Sequence, residues 1–357
     1  MQRRAFLQSA FFAGAISVVG RPLGRSALLA ADVRPTQPNA TRRNLYILGQ
    51  FEQTDPAKLD AVVASLGQSS FNVLTLAFLG IDASQSRPQL LYNGHSFAAL
   101  SPRLPEMFQH LRTGSGLPRK VLLSIGGWKN TAVFAAIRSM GAPAFVRQLT
   151  QEVIAPLHLD GIDLDLEPMQ GGLEQWSAAH REYSATLVAL TNEYKRVHPS
   201  HVVSHAPIAP VAAEFYAKDT AIDGLGKGLL ASTRTRNGNH VDWLNVQLYE
   251  GGKIGGGSSE EIASFYKTSL AVPLLQMRAQ TGIAQPLHFL QPTFDPGSNP
   301  PQPLEFCAQT LRSIREQCAP LHAGALGGVS LWQYQQVQPG ISAWSKGLEE
   351  ALEQSAG

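Results

Sequence analysis

The sequence has 357 residues, 44% of them hydrophobic and 16% charged, which is enough to form one large core. Its formal net charge of +2 gives no electrostatic reason to expect a nucleic-acid partner. No apolar run reaches the roughly 20 residues that are needed to span a bilayer.

The N-terminal segment carries the features of an export signal. Arg3 and Arg4 form a twin-arginine pair, an apolar stretch covers residues 10–19, and small residues at Ala30 and Ala31 offer a cleavage zone. We therefore predict that residues 1–31 are a twin-arginine signal peptide. The mature protein is then exported, to the periplasm or the extracellular medium, and carries no membrane segment.

The rest of the chain alternates between two patterns. Helical, amphipathic stretches are clearest at residues 58–66, 142–154, 175–198, 259–281 and 305–317. Between them lie eight apolar, β-rich runs, most of which start 40 to 48 residues apart: residues 44–51, 72–81, 120–127, 161–167, 201–207, 241–249, 286–292 and 327–334. Near-continuous apolar strands that alternate with helices indicate a parallel sheet covered on both faces.

Eight such units predict a (β/α)₈ TIM barrel that forms a single catalytic domain over residues 42–355. A doubly wound open sheet is the alternative, and it would require a Gly-rich phosphate loop after the first strand. The segment Gly49–Glu52 is not such a loop. Cys307 lies on the predicted helix 305–317 and Cys318 directly follows it, about 16 Å away along the helix axis, so we expect two free thiols.

The most informative stretch is Asp160–Glu167, which reads Asp-Gly-Ile-Asp-Leu-Asp-Leu-Glu. On a strand, Asp163, Asp165 and Glu167 share one face while the aliphatic residues between them share the other. Like charges in a row cannot all stay ionised at low cost, so at least one pKa should rise. Such a row suits a carboxylic acid that stays protonated near neutral pH.

Other polar and aromatic residues fall at the carboxyl ends of predicted strands, where TIM barrels place catalytic groups. They come from the third, sixth and eighth strands: Ser124-Ile-Gly126-Gly127, Gln247 with Tyr249, and Trp332 with Tyr334. Members of each i, i+2 pair should point the same way, into the barrel mouth.

Together these motifs resemble glycoside hydrolase family 18, the chitinases and related endo-β-N-acetylglucosaminidases. Residues 160–167 match its DxxDxDxE signature and residues 124–127 its SxGG motif. Gln247-Leu-Tyr249 looks like the QxY of the hevamine-like branch, as do Leu76–Leu79 and the later Asn93-Gly94-His95. The resemblance covers about residues 44–345 and implies a TIM barrel that hydrolyses N-acetylglucosamine-containing glycans.

The resemblance also implies roles for the acidic row and Tyr249. Glu167 would protonate the leaving oxygen, while the 2-acetamido oxygen of the substrate attacks the anomeric carbon. Asp165 would hold the acetamido N–H, and Asp163 would share a proton with Asp165. Tyr249 would donate its hydroxyl to the acetamido carbonyl.

The remaining expected site residues would bind substrate. Trp332 would form an apolar floor under the sugar, and Gln247 would lie beside Tyr249. Ser124, Gly126, Gly127 and Asp160 complete this set. SxGG would also let backbone approach the row closely, and Asp160, which is out of phase with the row, could instead cap the strand entrance.

Three functions remain open at this point. The first is a retaining hydrolase that cleaves β-1,4 linkages of chitin or chitooligosaccharides; the others are an endo-β-N-acetylglucosaminidase acting on N-glycan cores and a non-catalytic chitin-binding lectin. All acidic positions of the signature are intact, which favours an enzyme. Residues 295–303 are too few for the α+β domain that longer chitinases insert after strand seven, so we expect an open groove. We expect a monomer that needs no cofactor and no metal ion.

Overall fold

A closed parallel barrel organises the computed structural model, which describes residues 41–353 except 53–54, 85–87, 101, 114–116, 169–172, 223, 236–237, 250–256, 282–288, 322–325 and 339. Its strands are β1 (Arg42–Leu48), β2 (Val73–Asp82), β3 (Lys120–Gly127), β4 (Gly161–Leu166), β5 (Val202–His205), β6 (Trp243–Gln247), β7 (Leu290–Phe294) and β8 (Gly328–Leu331). Each strand pairs in parallel with the next, and β8 pairs with β1. The predicted (β/α)₈ TIM barrel is confirmed.

Helices surround the barrel and bury their apolar faces against it. The longer ones are Pro56–Gly67, Leu104–Thr113, Thr131–Met140, Ala142–Leu149, Leu173–Val197, Ser259–Phe265, Val272–Thr281, Leu304–Cys318 and Ile341–Glu353. Local sequence fixes the starts of two of these helices: Asp55 accepts a hydrogen bond from the Ala57 N–H, and Ser258 and Glu261 form a capping box. The described residues belong to one compact unit, which spans residues 40–357.

The ends of several predicted elements differ from the structure. The eighth strand stops at Leu331, because a short helix, Tyr334–Val337, follows it. The seventh extends to Phe294, and the first part of its predicted range lies outside the described residues. Two predicted helices contain π-helical segments, Thr150–Ile154 and Tyr266–Ala271. The predicted signal peptide also lies outside the described residues.

Two other sequence expectations can be compared with the structure. Cys307 and Cys318 are both free, as expected, and both are fully buried. Residues 295–303 join β7 directly to the helix Leu304–Cys318, so no inserted domain stands at this place. Within the described part of the chain, no helix is both long and apolar enough to cross a membrane.

Candidate active site

The acidic row lies on β4, with the alternation that the sequence predicts. Asp163 and Asp165 are buried and face the barrel interior, while Ile162, Leu164 and Leu166 belong to the hydrophobic core. Glu167 follows the last residue of the strand, at the carboxyl end of the barrel. The row therefore leads from the barrel interior to its mouth.

Asp163 is held by donors from four other strands. Its carboxylate accepts hydrogen bonds from the Tyr46 hydroxyl (3.0 Å), Ser124 Oγ (2.8 Å), Ser204 Oγ (2.6 Å) and Asn245 Nδ2 (3.0 Å). Burial raises the pKa of Asp163, and the four donated bonds act in the opposite direction. The Tyr46 phenol also has a pKa well above its usual value, because it is buried beside the negative charges of Asp163 and Asp165.

Asp165 interacts directly with Glu167. Burial, the charge of Glu167 and then the charge of Asp163 raise the pKa of Asp165 well above its usual value. Asp165 also shares a hydrogen bond with Glu167, which favours one protonated carboxyl group in the pair. The charge of Asp163 thus acts on the titration of Asp165, and the sharing of a proton between these two residues stays a prediction.

Gln247 supports the row from β6. Its Nε2 donates to Asp165 Oδ1 (3.0 Å) and to the Ala206 carbonyl (2.9 Å), and the side chain is buried. The structure therefore shows Gln247 holding Asp165, and the substrate contact expected from the sequence stays a prediction. Tyr249 lies two residues beyond β6, half-buried, and its phenol contributes to the raised pKa of Tyr46.

Trp332 lies at the barrel mouth between two other aromatic rings. It stacks on Phe78, with centroids 5.3 Å apart, and Tyr46 packs edge-on at 5.7 Å. Asn93 fixes the backbone that carries Phe78, because it accepts from the Phe78 N–H and donates to the Ala77 carbonyl. Tyr334 was expected to point into the mouth beside Trp332. It instead begins the short helix that follows β8, and its side chain is buried.

The SxGG motif brings β3 against the row. A Cβ at Gly126 would lie 2.1 Å from the Asp165 carbonyl oxygen, and one at Gly127 would lie 2.5 Å from the Phe78 ring. Both glycines also have positive φ angles, so larger residues would be strained. Ser124 and the two glycines, expected among the substrate-binding residues, thus position the row and Phe78.

Asp160 lies apart from the row, at the amino end of β4. Its carboxylate accepts from the Val121 N–H (2.8 Å) and pairs with Arg112 (3.0 Å). Its assignment to the substrate-binding residues is therefore corrected: Asp160 caps the strand entrance. His205, which is fully buried, bonds Thr191 and Tyr216, and burial lowers its pKa to about 3, so it is a neutral structural residue.

Sequence reasoning missed several residues of this site. Tyr46, Ser204 and Asn245 all contact Asp163, and the i, i+2 spacing of Asn245 and Gln247 was a signal that could have revealed one of them. Trp128, directly after the SxGG motif, is 50% exposed at the same end of the barrel. An exposed indole beside a groove offers a flat apolar face to a sugar ring.

A buried row of carboxyl groups that ends in an acid at the mouth of a TIM barrel is the kind of site that a hydrolase uses. In the described residues, no cluster of three or more His, Cys, Asp or Glu side chains is arranged to hold a metal ion. The sequence model described as "Glycosyl hydrolases family 18" matches residues 46–297. The chain belongs to glycosyl hydrolase family 18 and is a chitinase-like glycoside hydrolase.

Solved structures share the fold at low sequence identity. A GH18 chitinase from Pseudoalteromonas aurantia has a TM-score of 0.59 and 19% identity, over 87% of this chain and all of the other. A mutant GH18 chitinase from Cycas revoluta in complex with (GlcNAc)₄ has a TM-score of 0.51 and 14% identity, over 87% of this chain and 99% of the other. A xylanase-α-amylase inhibitor protein in complex with trehalose has a TM-score of 0.50 and 16% identity, over 87% and 98%. None of the curated proteins matches this chain.

Proposed function

We propose that the protein hydrolyses β-1,4 linkages of chitin or chitooligosaccharides with retention of configuration, using the 2-acetamido group of the substrate as nucleophile. The observation that carries this proposal is the hydrogen-bonded pair of Asp165 and Glu167 at the end of a buried carboxylate row. Family membership supports the choice of glycan, and the Cycas revoluta neighbour was solved with (GlcNAc)₄.

In the first step, Glu167 transfers its proton to the glycosidic oxygen. The acetamido carbonyl oxygen of the same sugar attacks C1 as the bond to the leaving sugar breaks, which forms a cyclic oxazolinium ion. Asp165 accepts the acetamido N–H and stabilises the positive charge of this ion. Tyr249 donates its hydroxyl to the acetamido carbonyl, and Trp332 supports the apolar face of the sugar.

In the second step, water attacks C1 from the side that the leaving sugar occupied. The Glu167 carboxylate takes a proton from this water, the oxazolinium ring opens, and the acetamido group is restored. Two displacements at C1 give net retention. The Glu167 proton is returned, so the row ends in its starting state.

The position of Asp165 argues for this route over direct water attack. A base that activates water across the sugar stands about 6.5–9.5 Å from the acid, on the opposite side of the groove. Asp165 comes from the same strand as Glu167 and is hydrogen-bonded to it, so it lies on the same side. It is placed to steer a group of the substrate.

Two other functions remain as alternatives. An endo-β-N-acetylglucosaminidase acting on N-glycan cores would use the same row, and the open groove expected from the sequence would suit either substrate. A binding protein without activity is the third, and the likeness to an inhibitor protein of the same fold illustrates it. The intact Asp163, Asp165 and Glu167 favour catalysis.

The test is a product analysis on two substrates side by side. The protein is incubated with chitohexaose and with a high-mannose glycopeptide, and Glu167→Gln serves as the inactive control. We expect shorter chitooligosaccharides from the first and no release from the second. Release of the glycan alone would point to the endo-β-N-acetylglucosaminidase, and binding without any product would point to the lectin.

A further inference from the structure

A chain of hydrogen bonds crosses the barrel interior beneath the carboxylate row. Arg42 Nε donates to Gln291 Oε1 (3.2 Å), Gln291 Nε2 donates to Asn245 Oδ1 (3.0 Å), and Asn245 Nδ2 donates to Asp163 Oδ1 (3.0 Å). Gln291, Asn245 and Asp163 are each 0% exposed. This chain, called the polar relay below, begins at the first residue of β1, at the amino end of the barrel, and ends on the row.

The two ends of the polar relay fix its direction. The Arg42 guanidinium can only donate hydrogen bonds, and an ionised Asp163 can only accept them. The amides of Gln291 and Asn245 could each be oriented in two ways. Turning either one around would place two donors or two acceptors face to face, so only one arrangement satisfies all three contacts.

Ser330 reinforces the same direction. Its Oγ accepts from Asn44 Nδ2 (2.9 Å) and from Gln291 Nε2 (2.7 Å), so its own proton is left to point at Asn245 Oδ1 (3.0 Å). With two donors on its oxygen atom, Asn245 keeps its NH₂ group turned towards Asp163. A fully satisfied buried network of this kind is stiff, because each misplaced group would be left without a partner.

Arg42 remains a cation at neutral pH, although burial lowers its pKa to about 10. The charge of Asp242 acts on it in the opposite direction, and its guanidinium lies 4.7 Å from the centre of the Trp243 ring. Asp242 itself pairs with Lys195, at 2.7 Å. At the other end of the polar relay, Asp163 faces Tyr46, Tyr216 and the charge of Asp165.

We propose that Arg42 is a positioning residue of the hydrolysis: through Gln291 and Asn245 it keeps Asp163 an ionised acceptor, so that the proton of the row stays on the Asp165–Glu167 pair. Protonation would weaken Asp163 as the acceptor of the N–H that the polar relay keeps turned towards its Oδ1. The inference rests on the proposed function, since it assigns Glu167 as the acid that uses this proton. Arg42, which helps to set the protonation of the Asp165–Glu167 pair, thus lies at the opposite end of the barrel from Glu167.

The experiment compares Arg42→Met with Arg43→Met. Arg43, the next residue of β1, is buried and bonds the Ser70 carbonyl and Glu349, so its loss removes a buried cation outside the polar relay. Activity on a fluorogenic chitotrioside is measured from pH 3 to 9. The Asp163 carboxyl is titrated separately by ¹³C NMR of Asp-labelled protein without substrate, and Asp163→Asn assigns its signal.

For Arg42→Met we expect the acid limb of kcat/KM and the Asp163 titration to move up together by about 0.4–1 pH units, the worth of one ordinary hydrogen bond, because the bond from Asn245 to Asp163 itself survives. Arg42→Lys should restore most of the shift, and Arg43→Met should leave both curves in place. If Arg42→Met does not fold, Gln291→Met interrupts the polar relay with Arg42 intact and should give the same shift.

Unchanged curves in the variants that interrupt the polar relay, or equal shifts in Arg43→Met, would overturn the inference. The NMR titration also separates it from the proposed function. A protein that cleaves no chitooligosaccharide but shows the Asp163 shift would refute the hydrolysis and leave the ionisation mechanism standing.

Discussion

Replacing Asp165 by Asn should make the protein more stable at alkaline pH while it removes most of the activity. The side-chain amide that Asp165→Asn introduces can still accept the hydrogen bond from Gln247 and can donate one to Glu167, so both contacts of the side chain survive. What disappears is one negative charge in a buried row of three carboxyl groups. The substitution therefore removes both the cost of burying this charge and its repulsion with Glu167 and Asp163, and the repulsion alone gives a lower estimate of the gain.

The size of this repulsion follows from the strand geometry. Alternate residues on a strand lie about 7 Å apart, and two unit charges at that distance repel by about 2 kcal/mol at an effective dielectric constant of about 20. Because the folded-state pKa of Asp165 is raised, the wild-type row is most stable below the unfolded value near 3.8 and loses stability as pH rises through the folded pKa. The gain in stability from Asp165→Asn should therefore grow as pH rises through the folded-state pKa of Asp165, and it should be absent near pH 4.

The assay is thermal unfolding of both proteins from pH 4 to 8. We expect the midpoint of the variant to exceed that of the wild type by about 3 °C at pH 8, given the size of the domain, with no difference at pH 4. Asp60→Asn, which alters an exposed ion pair with Arg103, serves as the control and should change little at either pH. A gain that is equal at pH 4 and pH 8, or a loss at both, would refute the reasoning about the row.

Three further predictions test the assigned roles and the export signal. Glu167→Gln should fold normally but lose activity by a factor on the order of 10²–10⁴ or more. The control Asp82→Asn, at the end of β2, should retain activity. Near wild-type turnover by Glu167→Gln would contradict its assignment as the acid. Tyr249→Phe should slow hydrolysis of acetylated chitooligosaccharides without abolishing their binding, and an equal effect on a substrate lacking the N-acetyl group would reject its contact with that group. Replacing Arg3 and Arg4 by Lys should trap the precursor in the cytoplasm, and mature exported protein at normal yield, detected by mass spectrometry, would show that the segment is another kind of signal.

The sequence predicted the barrel well because its signals are local and repeated. Each strand is an apolar run between helices, and the closed order of strands follows from eight such units. The row was visible for the same reason, since the alternation of Asp163, Leu164 and Asp165 fixes which side chains share a face. Strand ends were less certain, as the helix that begins at Tyr334 illustrates.

The surroundings of the row could not be predicted in the same way. Tyr46, Ser204 and Asn245 converge on Asp163 from strands that are 41 to 117 residues away along the chain, and a single sequence carries no record of such contacts. Gln247 was assigned to substrate because its position at the strand end is compatible with either a substrate contact or a contact with Asp165. Only the three-dimensional arrangement shows that its Nε2 donates to Asp165 and to the Ala206 carbonyl.

The central claim is that the substrate supplies its own nucleophile, and the anomeric form of the first product tests it most directly. Proton NMR spectra are recorded within the first minutes of a reaction with chitotetraose, before mutarotation mixes the anomers. The account predicts that the newly formed reducing end appears first as the β anomer, because two displacements at C1 retain the configuration. An initial α anomer would mean a single displacement by water and would contradict both the role of Asp165 and the proposed mechanism.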